Sequence, residues 1–158
     1  VKRAAPIARR TALQRRKVPL GCLPKAGVRV GGGMPRTGFP PTVVAAAMAR
    51  SGGCCELCGV SLGGERGIDF SVHHRRPRGI GGSSDPVTSS VSNVLVICGS
   101  GTTGCHGRVE QYRQIAMQAG WLVRQGQDPA TTPVQIFVGC RMARVLLTSD
   151  GTYGEVSG

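Results

Sequence analysis

Four cysteines arranged as two pairs constrain this chain more than any other feature: Cys55-Glu56-Leu57-Cys58 has a C-x2-C spacing, and six residues separate Cys98 from Cys105. A tetrahedral zinc ion takes four soft ligands, and two knuckles that each give two thiolates build a closed structural site. Gly99, Gly101 and Gly104 lie within the longer second pair and leave its backbone room to curl. The spacing therefore predicts a structural Zn2+ on Cys55, Cys58, Cys98 and Cys105. The alternatives are buried free thiols or, in a secreted chain, disulfides. Cys54 adjoins Cys55 and could replace it, although the two-residue gap favours Cys55. Cys22 and Cys140 have no partner at metal spacing and read as ordinary thiols.

A metal staple suits the rest of the composition. The 158 residues fit one domain of ordinary size, aromatics make up only 4%, and there are 25 Gly and 10 Pro, so the apolar core is modest and loops are abundant. The net charge of +12 is concentrated at one end: residues 1–50 hold eleven Lys or Arg and no acid, residues 51–158 nine basic and eight acidic residues. Arg outnumbers Lys seventeen to three, and the planar guanidinium matches phosphate geometry. A polyanionic partner, nucleic acid before membrane, follows. No apolar run approaches the ~20 residues that cross a bilayer. The Arg-rich start lacks the apolar stretch of a secretion signal and the Ser of a transit peptide, which leads to an expectation of a cytoplasmic protein.

Three segments follow from composition and periodicity. Residues 1–40 combine basic residues with Pro6, Pro19, Pro24, Pro35, Pro40 and a glycine run, and read as a disordered basic arm. Residues 41–120 form the main domain and 121–158 a C-terminal β extension. Thr42 is expected to cap a short helix through Val43 to Met48, ended by Gly52-Gly53. Ile68 to His74 reads as a strand, Arg75 to Ser92 as a long Gly/Ser loop, and Val94 to Ile97 as a second strand, together a wide-looped hairpin. Val109, Tyr112, Ile115, Ala116 and Ala119 give one helix from about His106 to Ala119, with Gly120 as terminator. Trp121 to Val123, Val134 to Val138 and Met142 to Leu147 read as short strands, with a turn at Asp150-Gly151. The fold class is α+β.

All three histidines fall within the cysteine-flanked segment. His73 and His74 end the first strand, and His106 directly follows Cys105. Adjacent strand residues point to opposite faces, so this pair can share a site only if the strand ends there, as Arg75-Arg76-Pro77 predicts. Taken in order, Cys55-Glu56-Leu57-Cys58, His73-His74-Arg75-Arg76-Pro77 with Gly81-Gly82, Asn93 to Cys98, and Cys105-His106 resemble the HNH endonuclease family. The stretch from Pro35 to Thr148 is similar to the HNH proteins of tailed bacteriophages.

That resemblance implies a zinc-stabilised ββα-metal domain that hydrolyses DNA phosphodiesters. His73 and His106 would bind a catalytic divalent metal, Mg2+ or Mn2+, and His74 would act as general base on the attacking water. Asn93 would brace the loop and orient His74, chiefly through its backbone. Glu110, one helical turn after His106, would be a further ligand; the alternative is a surface carboxylate pairing with Arg113. Arg75, Arg76 and Arg78 would grip flanking phosphates, or else form a solvated basic loop. The family context points to phage packaging with terminase as partner, with homing or restriction as other roles. A second class of function is a non-catalytic zinc module that binds DNA, which would not need a general base.

Overall fold

A computed structural model describes residues 38–79, 83–139 and 141–156. Helix α1 (Pro41–Ser51) leads through an irregular loop to strand β1 (Phe70–His74), and two short 3-10 turns precede strand β2 (Val94–Cys98). Helices α2 (Gly104–Gln111) and α3 (Arg113–Gln118) follow, then strands β3 (Val134–Val138), β4 (Arg141–Leu147) and β5 (Tyr153–Gly154). The result is mixed helix with two small antiparallel sheets, β1-β2 and β3-β4-β5. Among the described residues no helix is long and apolar enough to cross a membrane.

The β1-β2 register sets Phe70 against Cys98 at one end and His74 against Val94 at the other, with His73 opposite Leu95. Val94, Leu95, Val96 and Ile97 are fully buried, so this strand has an apolar partner on both faces and reads as a continuous hydrophobic run. Helix α2 packs one face on it through Cys105 and Val109, four residues apart. Val134, Ile136 and Leu147 from the second sheet join the same core as Val44, Ala47 and Phe70. Strands β3 and β4 therefore pack into the core of the preceding segment.

Several local expectations need correcting. Pro41 occupies the first turn of α1 and the cap is Pro40, with no side-chain cap bond, so Thr42 lies inside the helix. Strand β1 begins at Phe70 because residues 67–69 are held in a turn, with Ile68 and Asp69 amides both on the Glu65 carbonyl. The single helix from 106 to 119 is two, broken at Tyr112, whose φ of −111° and ψ of 59° are not helical. Trp121 to Val123 is not a strand: Leu122 and Val123 amides bond to Ala116 and Arg75 carbonyls and fold the segment back over the hairpin. Most of the basic arm, residues 1–37, lies outside the described residues, as do Gly81-Gly82 and the two cysteines read as ordinary thiols, Cys22 and Cys140. Phe39, assigned from sequence to that arm, is a buried core residue.

Candidate metal centres

The loop after α1 carries Cys55 and Cys58, and the end of β2 with the start of α2 carries Cys98 and Cys105. Their four sulfurs lie within 4.8 Å of one another. The Sγ atoms of Cys58 and Cys98 are 3.8 Å apart, the separation of about 3.8 Å that thiolates ~2.3 Å from zinc take at two corners of a tetrahedron. Backbone amides already point at these sulfurs: the Cys98 amide donates to Cys55 Sγ at 3.3 Å and the Cys105 amide to Cys98 Sγ at 3.5 Å. The Cys55 thiol is pulled down to about 5, first by the Cys105 side chain, while Cys58 is pushed up to about 11 by burial. Cys105 is pushed up as well, first by the Cys55 side chain, so among these three thiols one gives up its proton readily and two hold theirs, the condition a cation relieves. The four cysteines could thus hold a structural metal such as zinc, and Cys54 stands outside the group.

The second knuckle is shaped by glycine at two of the three positions. At Gly99 (φ 84°) a Cβ would sit 2.2 Å from the Thr103 carbonyl oxygen, and at Gly104 (φ 60°) 2.7 Å from that of Cys98; at Gly101 it would meet open space. Only glycine fits the first two. Leu57 and Glu56 fill the first knuckle, and Glu56 was not foreseen as anything but a spacer. It is 1% exposed, paired with Arg50 through Nε–Oε1 at 2.8 Å and Nη2–Oε2 at 2.9 Å, and it accepts the Val96 amide at 2.8 Å. Arg50 also donates to the Val91 and Val94 carbonyls. A buried pair with its remaining groups satisfied fixes how α1, the knuckle and β2 meet.

At the other end of the hairpin, His73, His106 and Glu110 form a second group whose ligand atoms lie within 4.8 Å of one another. Cys105 and His106 serve different clusters because successive helical residues diverge by roughly 100°, and Glu110 follows His106 on the same face. Glu110 Oε1 lies 4.0 Å from His73 Nδ1 and 3.9 Å from His106 Nε2. These gaps are too long for hydrogen bonds and close to the roughly 3 to 4 Å between ligands that share an ion at ~2.1 Å. The other oxygen of Glu110 takes Arg113 at 2.9 Å, the pairing named as the alternative, while Oε1 faces the two imidazoles. His73 Nε2 and His106 Nδ1 are buried with no hydrogen-bond partner. Burial and then the neighbouring His106 hold His73 down to about 3; burial lowers His106 against the opposing pull of Glu110. Both imidazoles are neutral at pH 7 and offer lone pairs, which fits a divalent cation on two nitrogens and a carboxylate oxygen.

Strand β1 ends at His74, so both histidines line one cleft of about 290 Å³ with Val72, Pro77, Arg78, His106 and Glu110. Burial lowers His74 to about 4, helped by the positive charges of Arg78 and Arg66. Its ring stacks on Phe39 at 3.7 Å, and Nε2 accepts from Arg78 Nε at 2.9 Å. Asn93 is fully buried and braces the loop after His74, but by its side chain more than its backbone. Its Oδ1 accepts the Arg76 amide at 2.6 Å and its Nδ2 donates to the Arg76 and Thr88 carbonyls, while its own carbonyl takes the Arg75 amide.

Arg75 cannot grip a phosphate. It is fully buried, and its guanidinium donates to the carbonyls of Gly120, Ser92, Pro129 and Thr132 at 2.7 to 3.1 Å. It rivets the hairpin to the segment after α3. Arg76 is likewise largely buried, bonded to Asp85 and to the Gln127 carbonyl. Of the three arginines only Arg78 faces the cleft. Arg66 and Phe39 also bear on His74 and were missed: neither carries a spacing signal, and each meets the site only through the fold. No family model, no curated protein and no solved structure matches this chain.

Proposed function

We propose that the protein is a metal-dependent DNA endonuclease of the HNH kind, with β1, β2 and α2 as its ββα-metal element. The observation that carries this reading is the set His73, His106 and Glu110 converging in an open cleft beside a neutral His74. A divalent metal held by those three ligands would supply Lewis acidity to the scissile phosphate and the departing 3′ oxygen. His74 takes the proton of the attacking water, which neutral imidazole can do at pH 7. Asn93 holds the chain after His74 so that the ring keeps its position. Water adds to phosphorus and the 3′ oxygen leaves, giving 5′-phosphate and 3′-hydroxyl ends. The four-cysteine zinc site fixes β2 and α2, and with them His106. DNA is the substrate that the arginine-rich charge supports; phage packaging alongside terminase remains an analogy from the sequence resemblance.

Plasmid DNA incubated with the full chain, with and without Mg2+ or Mn2+, tests the reading. Metal-dependent cleavage is expected, and His74→Ala should lower it by about 10²-fold or more with folding and zinc content unchanged. A folded His74→Ala protein that cleaves at the normal rate would overturn the base assignment. Metal-independent DNA binding without any cleavage would support the zinc-module reading instead.

A further inference from the structure

We propose that Arg78 is a substrate-released cap on His74: it occupies the imidazole until a phosphodiester draws the guanidinium away. The inference rests on the reading of His74 as general base and adds to it a reason why the base is silent at rest.

A guanidinium has donors only. The 2.9 Å contact from Arg78 Nε therefore takes the lone pair of His74 Nε2 and leaves the single ring proton of neutral His74 on Nδ1. Neither nitrogen can then accept a proton. If Nε2 faces the water, it needs its lone pair back. If Nδ1 faces the water, its proton must move to Nε2, where it would meet the N–H of Arg78. Either way Arg78 has to leave first.

Among the described residues the cap is held only by neutral partners. Besides His74, Arg78 donates to the Gly38 carbonyl at 2.9 Å, and its guanidinium lies 5.8 Å from the Phe39 ring centroid. By contrast Arg50, Arg76 and Arg113 each pair with a carboxylate, Glu56, Asp85 and Glu110. A phosphate offers Arg78 a charge-assisted and bidentate bond roughly twice as strong as a neutral one. Arg78 also lines the same cleft as His73, His106 and Glu110, so the group it would move to is the substrate itself. Arg66, exposed on the preceding loop, adds a second positive charge that acts on the same ring. Binding of a phosphodiester satisfies both and uncovers the base, which couples catalysis to correct seating of the backbone.

The test reads the imidazole directly. Long-range proton–nitrogen NMR on the full zinc-loaded chain, with no divalent metal added, should find His74 as the Nδ1–H tautomer with Nε2 accepting a hydrogen bond. A short DNA duplex should shift the His74 resonances to the position they take in Arg78→Ala. An Nε2–H tautomer in the free protein, a duplex that binds without moving His74, or no binding would each overturn the cap. The wild-type titration decides the matter even if Arg78→Ala folds poorly.

Kinetics give a second arm. With Mn2+, Arg78→Ala should hydrolyse bis(p-nitrophenyl) phosphate about threefold faster or more, the inverse of the uncapped fraction at rest. Its DNA affinity should fall about tenfold, and the slope of log affinity against log salt should flatten by about 0.9, one phosphate contact. A merely structural Arg78 would lower both activities. DNA cleavage with an unmoved His74 would sink the cap and keep the nuclease; release of His74 by DNA with no cleavage under any metal would sink the nuclease reading.

Discussion

The two ends of the β1-β2 hairpin each gather a cluster of side chains that could hold a metal ion, and the chain treats them in opposite ways. Around Cys98 the ligand set is complete at four, backbone amides aim at the sulfurs, and Gly99 and Gly104 leave no space for anything larger. Around His73 the set stops at three, Glu110 stays 40% exposed, and a cleft opens in front of it. A tetrahedral ion with four protein ligands has no position left for a substrate, whereas three ligands leave room. Cys105 and His106 are neighbours in sequence, so one short helix is anchored by the closed cluster and presents the open one. Rigidity is built around the closed cluster, and among the described residues the buried side-chain groups without a hydrogen-bond partner, His73 Nε2 and His106 Nδ1, belong to the open one.

The largest effect that can break this contrast is loss of the closed cluster. Cys58→Ser should leave a protein without bound zinc and without cooperative unfolding, since structural zinc contributes on the order of 10 kcal/mol to small folds. His106→Ala, one residue from the other cluster, should keep about one zinc per chain by elemental analysis and keep its fold. If His106→Ala loses zinc as Cys58→Ser does, the two clusters are one cooperative unit and the division fails.

Arg75 sharpens the same contrast from the structural side. Replacing it by Met removes a buried cation and strands four carbonyl oxygens, so denaturant unfolding should show a loss of about 3 to 5 kcal/mol. DNA affinity of the folded protein should not change, because no part of Arg75 reaches the cleft. A variant of normal stability that binds DNA less well would restore the phosphate role expected from sequence.

Arg75 also shows where sequence reading stops. The grouping of Cys55, Cys58, Cys98 and Cys105, and that of His73, His106 and Glu110, is legible because residue types able to hold a metal are rare and their spacing survives folding. Three arginines in four residues look alike in a sequence; what separates them is which carbonyls surround each one, and those come from residues 92, 120, 129 and 132. Phe39 is invisible for the same reason, since its partner His74 lies 35 positions away and is brought to it by packing. The hairpin strands were legible to within two residues because β2 is a pure apolar run. The break at Tyr112 was not, because the apolar spacing continues through it and gives no sign of the two-helix path.

The smallest expected effect concerns acid, and it reads the open cluster alone. An unfolded histidine takes up a proton around pH 6.5, but burial holds folded His73 neutral down to about 3 and His74 down to about 4. Between those values the unfolded chain binds more protons than the folded one, so stability is full above about pH 6.5 and declines as pH falls through this window. One fully protected imidazole contributes at most about 1.4 kcal/mol per pH unit there. The cysteine cluster also responds to acid, because protonated thiols release zinc, so the total slope mixes both ends. Comparing wild type with His73→Gln separates them, as the thiols are common to both. With zinc content checked at each point and no Mg2+ or Mn2+ added, the stability lost between pH 7.5 and 5.5 should be smaller in the variant by about 1 kcal/mol. Superimposable pH slopes would mean that His73 titrates like a solvated imidazole, that its ring nitrogens are not shut away from water, and that the open cluster has no neutral ligand to offer a metal at moderately acid pH.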